Sequence, residues 1–226
     1  MKEIEIKQNG YTYEMREELK TLRTNIQFCG DDKRVILLTS SVASEGKSTT
    51  SMNLAISLAE LGKKVMLIDA DIRKSVMVSR LKVGKVERGL SHFLAGQCQV
   101  TDAVYATNVD KLFIMFSGPA VPNPTELLST ERFAKMIVAF RSVYDYIIID
   151  GPPLGMVVDS AIIAKECDGA ALVIESGTIK YRFAQEVKAK LDNAGCPVLG
   201  VILNKVDRKK DGKYYGKYYG KYYGKY

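Results

Sequence analysis

The chain has 226 residues, 46% of them hydrophobic, enough for one globular domain with a sizeable core. Its formal net charge of +7 points toward nucleic acid or an anionic surface only until it is located: residues 207–226 hold seven Lys/Arg against two Asp. The remaining body is nearly neutral, which argues against a basic domain face that grips nucleic acid, and no nucleic-acid partner is expected.

In chain order, "YEMREELKTLRTNIQF" (13–28) places Met15, Leu19, Leu22 and Ile26 at helical spacing between charges and predicts an amphipathic helix. "RVILLTS" predicts a buried strand, "KSTTSMNLAISLAEL" a helix ending at Gly62, and "KVMLIDAD" a second strand. Residues 74–130 are less regular, with a short strand in "KLFIMFSG" and a loop at "GPAVPNP". Helix "TERFAKMIVAFRSV", strand "YDYIIIDG", helix "DSAIIAKE", strand "DGAALVIES", helix "KYRFAQEVKAKLDNAG" and strand "VLGVILNK" follow. Strands apolar on both faces and separated by helices predict a doubly wound, mostly parallel α/β domain over 1–206, with ligands at the carboxyl ends of the strands.

Cys29, Cys98, Cys167 and Cys196 lie far apart without metal-ligand spacing, and no charged-then-apolar leader opens the chain, so a reduced, cytosolic protein is expected. The longest apolar runs are strand-sized, so any membrane association must come through a partner. His92, the only histidine, sits in the apolar "GLSHFLAG" and reads as a packed rather than a catalytic residue.

"SSVASEGKST" joins a strand to a helix and ends in Gly46-Lys47-Ser48. That is the setting of a phosphate loop: backbone N–H groups from Ser44 to Thr49 and a helix N-terminus face phosphates, Lys47 reaches the β and γ groups, and Ser48 holds Mg²⁺. Ser41 stands where the usual pattern has its first glycine. Asp69 and Asp71 end the second strand and Asp150 a third. Such carboxylates can cap the helices that follow. Three of them beside a phosphate loop serve better as Mg²⁺ ligands, with one free to take a proton.

Residues 207–226 have a different character. Seven of the thirteen tyrosines fall in the last thirteen residues, in Gly-Lys-Tyr-Tyr units. Glycine at every fourth position and the lack of branched aliphatics predict a disordered tail.

"SEGKSTTSMNLA", "LIDADIRK", "YIIIDGPP" and "GPAVPNPTELL", together with that tyrosine tail, resemble the bacterial tyrosine kinases of the capsular and exopolysaccharide type, over roughly residues 12–206. The resemblance implies a Walker-type ATPase fold that uses ATP and Mg²⁺ and phosphorylates its own tail between subunits. The acceptors would be Tyr214, Tyr215, Tyr218, Tyr219, Tyr222, Tyr223 and Tyr226. It further implies Asp69 as the proton acceptor, Asp71 and Asp150 as partners of the metal, Arg73 as a charge stabiliser or a surface ion pair, and Asn204 as a reader of the adenine ring. Glu17, Lys20 and Arg23 resemble the family's subunit-contact motif, and a ring-like homo-oligomer, a membrane-embedded activator, protein tyrosine substrates, a cognate phosphatase and a place at the inner face of the membrane are implied with them. Three departures stand out: Ala43-Ser44 where the family has Pro-Gly, Ser75 where it has proline, and Lys20 where it has arginine. Ser44 is therefore expected in a backbone conformation that glycine takes without strain.

Two other readings compete. Partition-type positioning ATPases share the fold but carry a lysine where this chain has Val42. A nucleotide-independent module with an adhesive basic aromatic tail would lack any need for the Walker residues.

Overall fold

The computed structural model describes residues 2–7, 10–84 and 86–207. Its elements are β1 (Lys2–Ile4), α1 (Tyr13–Phe28), β2 (Val35–Ser40), α2 (Lys47–Glu60), β3 (Val65–Asp69), α3 (Met77–Leu81), α4 (Leu90–Leu94), β4 (Val104–Thr107), β5 (Leu112–Met115) and α5 (Pro124–Leu128). After them come α6 (Glu131–Arg141), β6 (Tyr146–Asp150), α7 (Asp159–Ala164), β7 (Gly169–Glu175), α8 (Tyr181–Asn193) and β8 (Val198–Asn204).

The strands form one sheet in the order β1-β4-β5-β3-β6-β2-β7-β8. Every neighbouring pair is parallel except β4 with β5. Alternation along each central strand divides the core into two layers. Val35, Leu37, Met66, Ile68, Ile147, Ile149 and Leu172 face α4, α6, α7 and α8, while Ile36, Leu38, Leu67, Ile148 and Val173 face α1 and α2. Burial on both faces is why these strands read as unbroken apolar runs. Hydrophobic burial of about 25 cal/mol per Å² on each side makes this central sheet the rigid base on which the loops at its carboxyl edge are held.

The doubly wound α/β architecture is the one expected. The irregular middle adds more order than its sequence suggests: α3, α4, α5, the polar edge strand β1 and the antiparallel strand β4 were not anticipated. Several helices are shorter than their patterns, α2 stopping at Glu60 before Gly62 turns the chain with φ +83°. Among the described residues no helix is long and apolar enough to cross a membrane. The tyrosine cluster and the expected disorder of the tail fall at 208–226, outside the described residues.

The register brings the site together. Leu38 of β2 and Asp69 of β3 both lie opposite Asp150 of β6, so three strands end side by side where the chain leaves β2 for α2.

Candidate active site

The turn from β2 into α2 carries two left-handed residues, Ser44 at φ +69° and Gly46 at φ +91°. Ser44 thus adopts the conformation its position led us to expect, at a cost of roughly 1–2 kcal/mol that glycine would not incur. At Gly46 any side chain would be strained by the positive φ and would displace Asn204, whose Nδ2 lies 2.0 Å from where a Cβ would stand.

Inward-facing bonds brace this loop. Glu45 is buried, and its carboxylate accepts from the N–H groups of Ser41 (2.7 Å), Val42 (2.8 Å) and Glu175 (3.2 Å). Glu45 was expected to touch nucleotide; only its backbone is placed for that, because its side chain is spent inside the loop. Asn204 Nδ2 donates to the Glu45 carbonyl (2.9 Å), and Lys205 Nζ donates to the Ser44 carbonyl (2.8 Å) and to Glu175 (2.7 Å). Asn204, expected to read a base, therefore also ties the end of β8 to the loop.

Lys47, Ser48 and Thr49 form the first turn of α2, whose N–H groups lack intrahelical partners and whose macrodipole favours an anion. Lys47 is buried and donates to Asp150 Oδ1 at 2.7 Å, which also accepts from Ser51 (3.2 Å). Asp69 is buried beside this pair. Burial first, and then the Asp150 charge, push its carboxyl up to about 7; a hydrogen bond from Ser75 Oγ and the Lys47 ammonium pull the other way. Ser75, the residue standing in for a proline, thus makes a contact with Asp69 that proline could not make. Asp71 Oδ1 accepts from the N–H groups of Arg73 (3.3 Å) and Lys74 (3.0 Å), shaping the turn after β3.

Other expected residues are engaged elsewhere. The Arg73 guanidinium grips buried Asp159 through Nε (2.5 Å) and Nη2 (2.9 Å) and reaches Thr125 (3.0 Å), so the loop after β3 is fastened to α5 and α7. Arg73 is thus engaged in an ion pair, one of the two roles open to it. Glu17 and Lys20 pair on the surface at 2.7 Å, whereas Arg23 turns inward to the Ser57 carbonyl of α2 (2.9 Å). Arg80, which nothing in its local pattern marks, donates to Thr49 Oγ1 at 2.5 Å.

Among the described residues no three Asp, Glu, His or Cys side chains form a ready-made metal cage. Asp69, Asp71 and Asp150 are therefore neighbours at three strand and loop ends rather than a converging ligand set. The surroundings still fit a nucleotide-borne Mg²⁺. That ion keeps several waters and takes only one or two protein ligands beside phosphate oxygens, and two buried carboxylates, Asp69 and Asp150, share this site with the single ammonium of Lys47. Ser48, Asp71 and Asp150 are the residues that would hold it, directly or through water.

A family model described as an AAA domain matches residues 33–178. The tyrosine-protein kinase CpsD of Streptococcus agalactiae is 47% identical over 191 residues, covering 84% of this chain and 83% of that protein. The kinase domain of Escherichia coli tyrosine kinase ETK superposes with a TM-score of 0.81 at 28% identity, over 84% of this chain and 75% of that one. The septum site-determining protein MinD of Pyrococcus horikoshii, solved with Mg-ADP, has a TM-score of 0.67 at 27% identity, over 77% and 71%.

Proposed function

Since this chain belongs to the family of bacterial tyrosine-protein kinases, we propose that it transfers the γ-phosphoryl group of ATP to tyrosines of its own C-terminal segment, from one subunit to the next, and thereby controls capsular or exopolysaccharide synthesis. The observation that carries the mechanism is Asp69, buried at the end of β3 with its carboxyl pushed to about 7 beside the Lys47–Asp150 pair. A base that titrates near neutral pH, within a charged but dry site, suits removal of a phenolic proton.

Phosphoryl transfer asks for position and charge neutralisation more than covalent chemistry. The N–H groups at the start of α2 and the backbone of Ser44 to Thr49 cradle the phosphates. Lys47 leaves its partner Asp150 enough to reach the β- and γ-oxygens. Mg²⁺, when bound, supplies further neutralisation of the triphosphate. The acceptor hydroxyl gives its proton to Asp69 as its oxygen bonds to the γ-phosphorus, and the bond from that phosphorus to the bridging oxygen breaks, leaving ADP. Asn204, at the end of β8, takes the base edge. Arg73 supports the site indirectly in this state, by holding the Asp69–Arg73 loop against Asp159.

The acceptors are Tyr214, Tyr215, Tyr218, Tyr219, Tyr222, Tyr223 and Tyr226. The subunits form a ring in which the exposed Glu17–Lys20 pair on α1 meets a neighbour, while Arg23 keeps α1 on α2. A membrane-embedded activator recruits the domain to the inner face of the membrane, other proteins supply further tyrosines, and a phosphatase resets the tail. Each phosphotyrosine brings roughly −1.5 to −2 charges, so three or four reverse the +5 carried by residues 207–226 and loosen the ring.

Intact mass after incubation with Mg²⁺-ATP, with and without the activator's cytoplasmic segment, tests this reading. Several phosphates confined to the peptide beyond Lys213, and none in Lys47→Ala, are expected. ATP consumed with no phosphate retained would assign the chain to the positioning ATPases instead. Light scattering of the fully phosphorylated protein should report a smaller particle; an unchanged mass would remove the charge-reversal step.

A further inference from the structure

A cavity of about 430 Å³ opens beside Ser48 and Thr49, between α2, α3, the start of α1 and the segment before it. Its floor is apolar and buried, made by Met52, Ile56 and Met77. Its rim carries two cations, Lys7 and Arg80, and among the described residues no carboxylate lines it. Tyr11 is half-buried on one wall and spends its hydroxyl on Asn53 Oδ1 at 2.7 Å.

An apolar floor under a cationic, hydroxyl-bearing rim suits an aromatic ring that ends in a phosphate: the ring packs on the methionines and the dianion pairs with a guanidinium and an ammonium. Unmodified tyrosine brings no charge to pair with the two cations, and the lysines that flank every Tyr pair of the tail are repelled by them. Phosphorylation turns that repulsion into attraction.

We propose that this cavity is a phosphotyrosine subsite filled by the chain's own residues 208–226 once they are phosphorylated, an inference that rests on the kinase reading for the origin of the phosphate. The tail starts in the right place. Lys205 bonds the Ser44 carbonyl of the loop that leads into α2, whose first-turn residues Ser48 and Thr49 border the cavity, and Tyr214 follows nine residues later, a reach of up to about 30 Å. Occupancy is read directly at the nucleotide loop. Arg80 spans the cavity mouth to Thr49 Oγ1, and a phosphate that claims its guanidinium competes with that bond. A tail folded back in this way is withdrawn from the neighbouring subunit, so the product of the reaction restrains its own turnover.

The test is a titration of the full, dephosphorylated chain into fluorescent peptides of Gly212–Tyr219, unmodified or phosphorylated at Tyr214 and Tyr215, in saturating Mg-ADP and read by anisotropy. The phosphopeptide should bind at least ten-fold more tightly than the unmodified one. Arg80→Ala, at an exposed position, should cost at least ten-fold, and Arg80→Lys should retain part of the affinity. A full chain with a phosphorylated tail attached by peptide ligation should bind the probe at least ten-fold more weakly than the dephosphorylated chain, since its own tail fills the cavity. Equal affinity for the two peptides, indifference to Arg80→Ala, or binding abolished by Mg-ADP (the phosphate then lying in the nucleotide loop) would each overturn the subsite. Undiminished binding by the tail-phosphorylated chain would overturn occupancy by its own tail. A chain that never phosphorylates its tail would sink the kinase reading and leave these titrations standing.

Discussion

The two ends of β2 carry the same chemistry with opposite results. Where β2 begins, Asp168 accepts from the N–H groups of Arg34 (2.9 Å) and Val35 (2.7 Å) and from both Nη atoms of Arg141 (2.8 Å each). Burial pushes the Asp168 carboxyl up, but these four bonds outweigh it and hold the group below the usual carboxylate range. Where β2 ends, Lys47 bonds Asp150 at 2.7 Å, yet buried Asp69 alongside is driven up to about 7. One end surrounds a single carboxylate with four donors and serves the fold. The other has more negative charge than donors, and that deficit is what a magnesium–nucleotide complex would fill.

The contrast is broken most severely by Lys47→Ala. Phosphate incorporation should fall by at least about 10³-fold while the folded state survives, as intact mass and circular dichroism would show. Asp168→Ala should do the reverse. It strands two backbone donors and a guanidinium, so stability should fall by about 2–3 kcal/mol after allowing for the partial exposure of Arg141, while activity per folded molecule at low temperature stays near normal. Urea titration and single-turnover kinetics separate the two outcomes.

Those two variants also mark what a reader of the sequence can and cannot find. Lys47, Asp69 and Asp150 are legible because each sits at a fixed offset from an apolar run that can only be a buried strand. The central strands themselves are legible for the same reason, being buried on both faces. Strand β1, three residues with an exposed, polar pattern, and α3, α4 and α5, at five residues each, are too short for any period to declare itself. The inward turn of Glu45, the Arg73–Asp159 grip across 86 positions and the Arg80–Thr49 bond depend on which loops the sheet order brings together, and no local pattern encodes that order.

Acidity sharpens the comparison. Asp69 has its folded value raised to about 7 from an ordinary 3.8, so its contribution to stability is complete below pH 4 and is lost as pH rises through 7. Asp168, held low, contributes above its ordinary value and is lost as pH falls through its lower folded one. The metal-free protein should therefore be less stable at pH 8 than at pH 5.5, by on the order of 2 kcal/mol, and melt at a lower temperature, and Asp69→Asn should flatten that slope. Asp168→Asn should leave it intact and flatten the acid limb instead.

Smaller effects test the loop itself. Ser44→Gly removes a left-handed serine and should stabilise the protein by about 1 kcal/mol, raising Tm by roughly 2–4 °C, with tighter ADP binding by calorimetry. Ser75→Ala removes a hydrogen bond that favours the charged form of Asp69, so the acidic limb of the pH–rate profile should move to higher pH by up to about one unit. A profile that stays in place would mean that another group sets that limb.

Lys205 and Asn204 bolt the end of β8 to the carbonyls of Ser44 and Glu45, so the segment that follows has a fixed origin. With a nucleotide held at that loop, the length of this segment would set an upper limit on how far each tyrosine stands from the phosphates. At about 3.3 Å per residue, Tyr214 can stand no farther than about 30 Å from Lys205, and Tyr226 no farther than about 70 Å. Position along the tail would thereby become a limit on reach, and inserting or deleting Gly-Lys-Tyr-Tyr units would change which tyrosines can reach a given centre without altering the residues that anchor the tail.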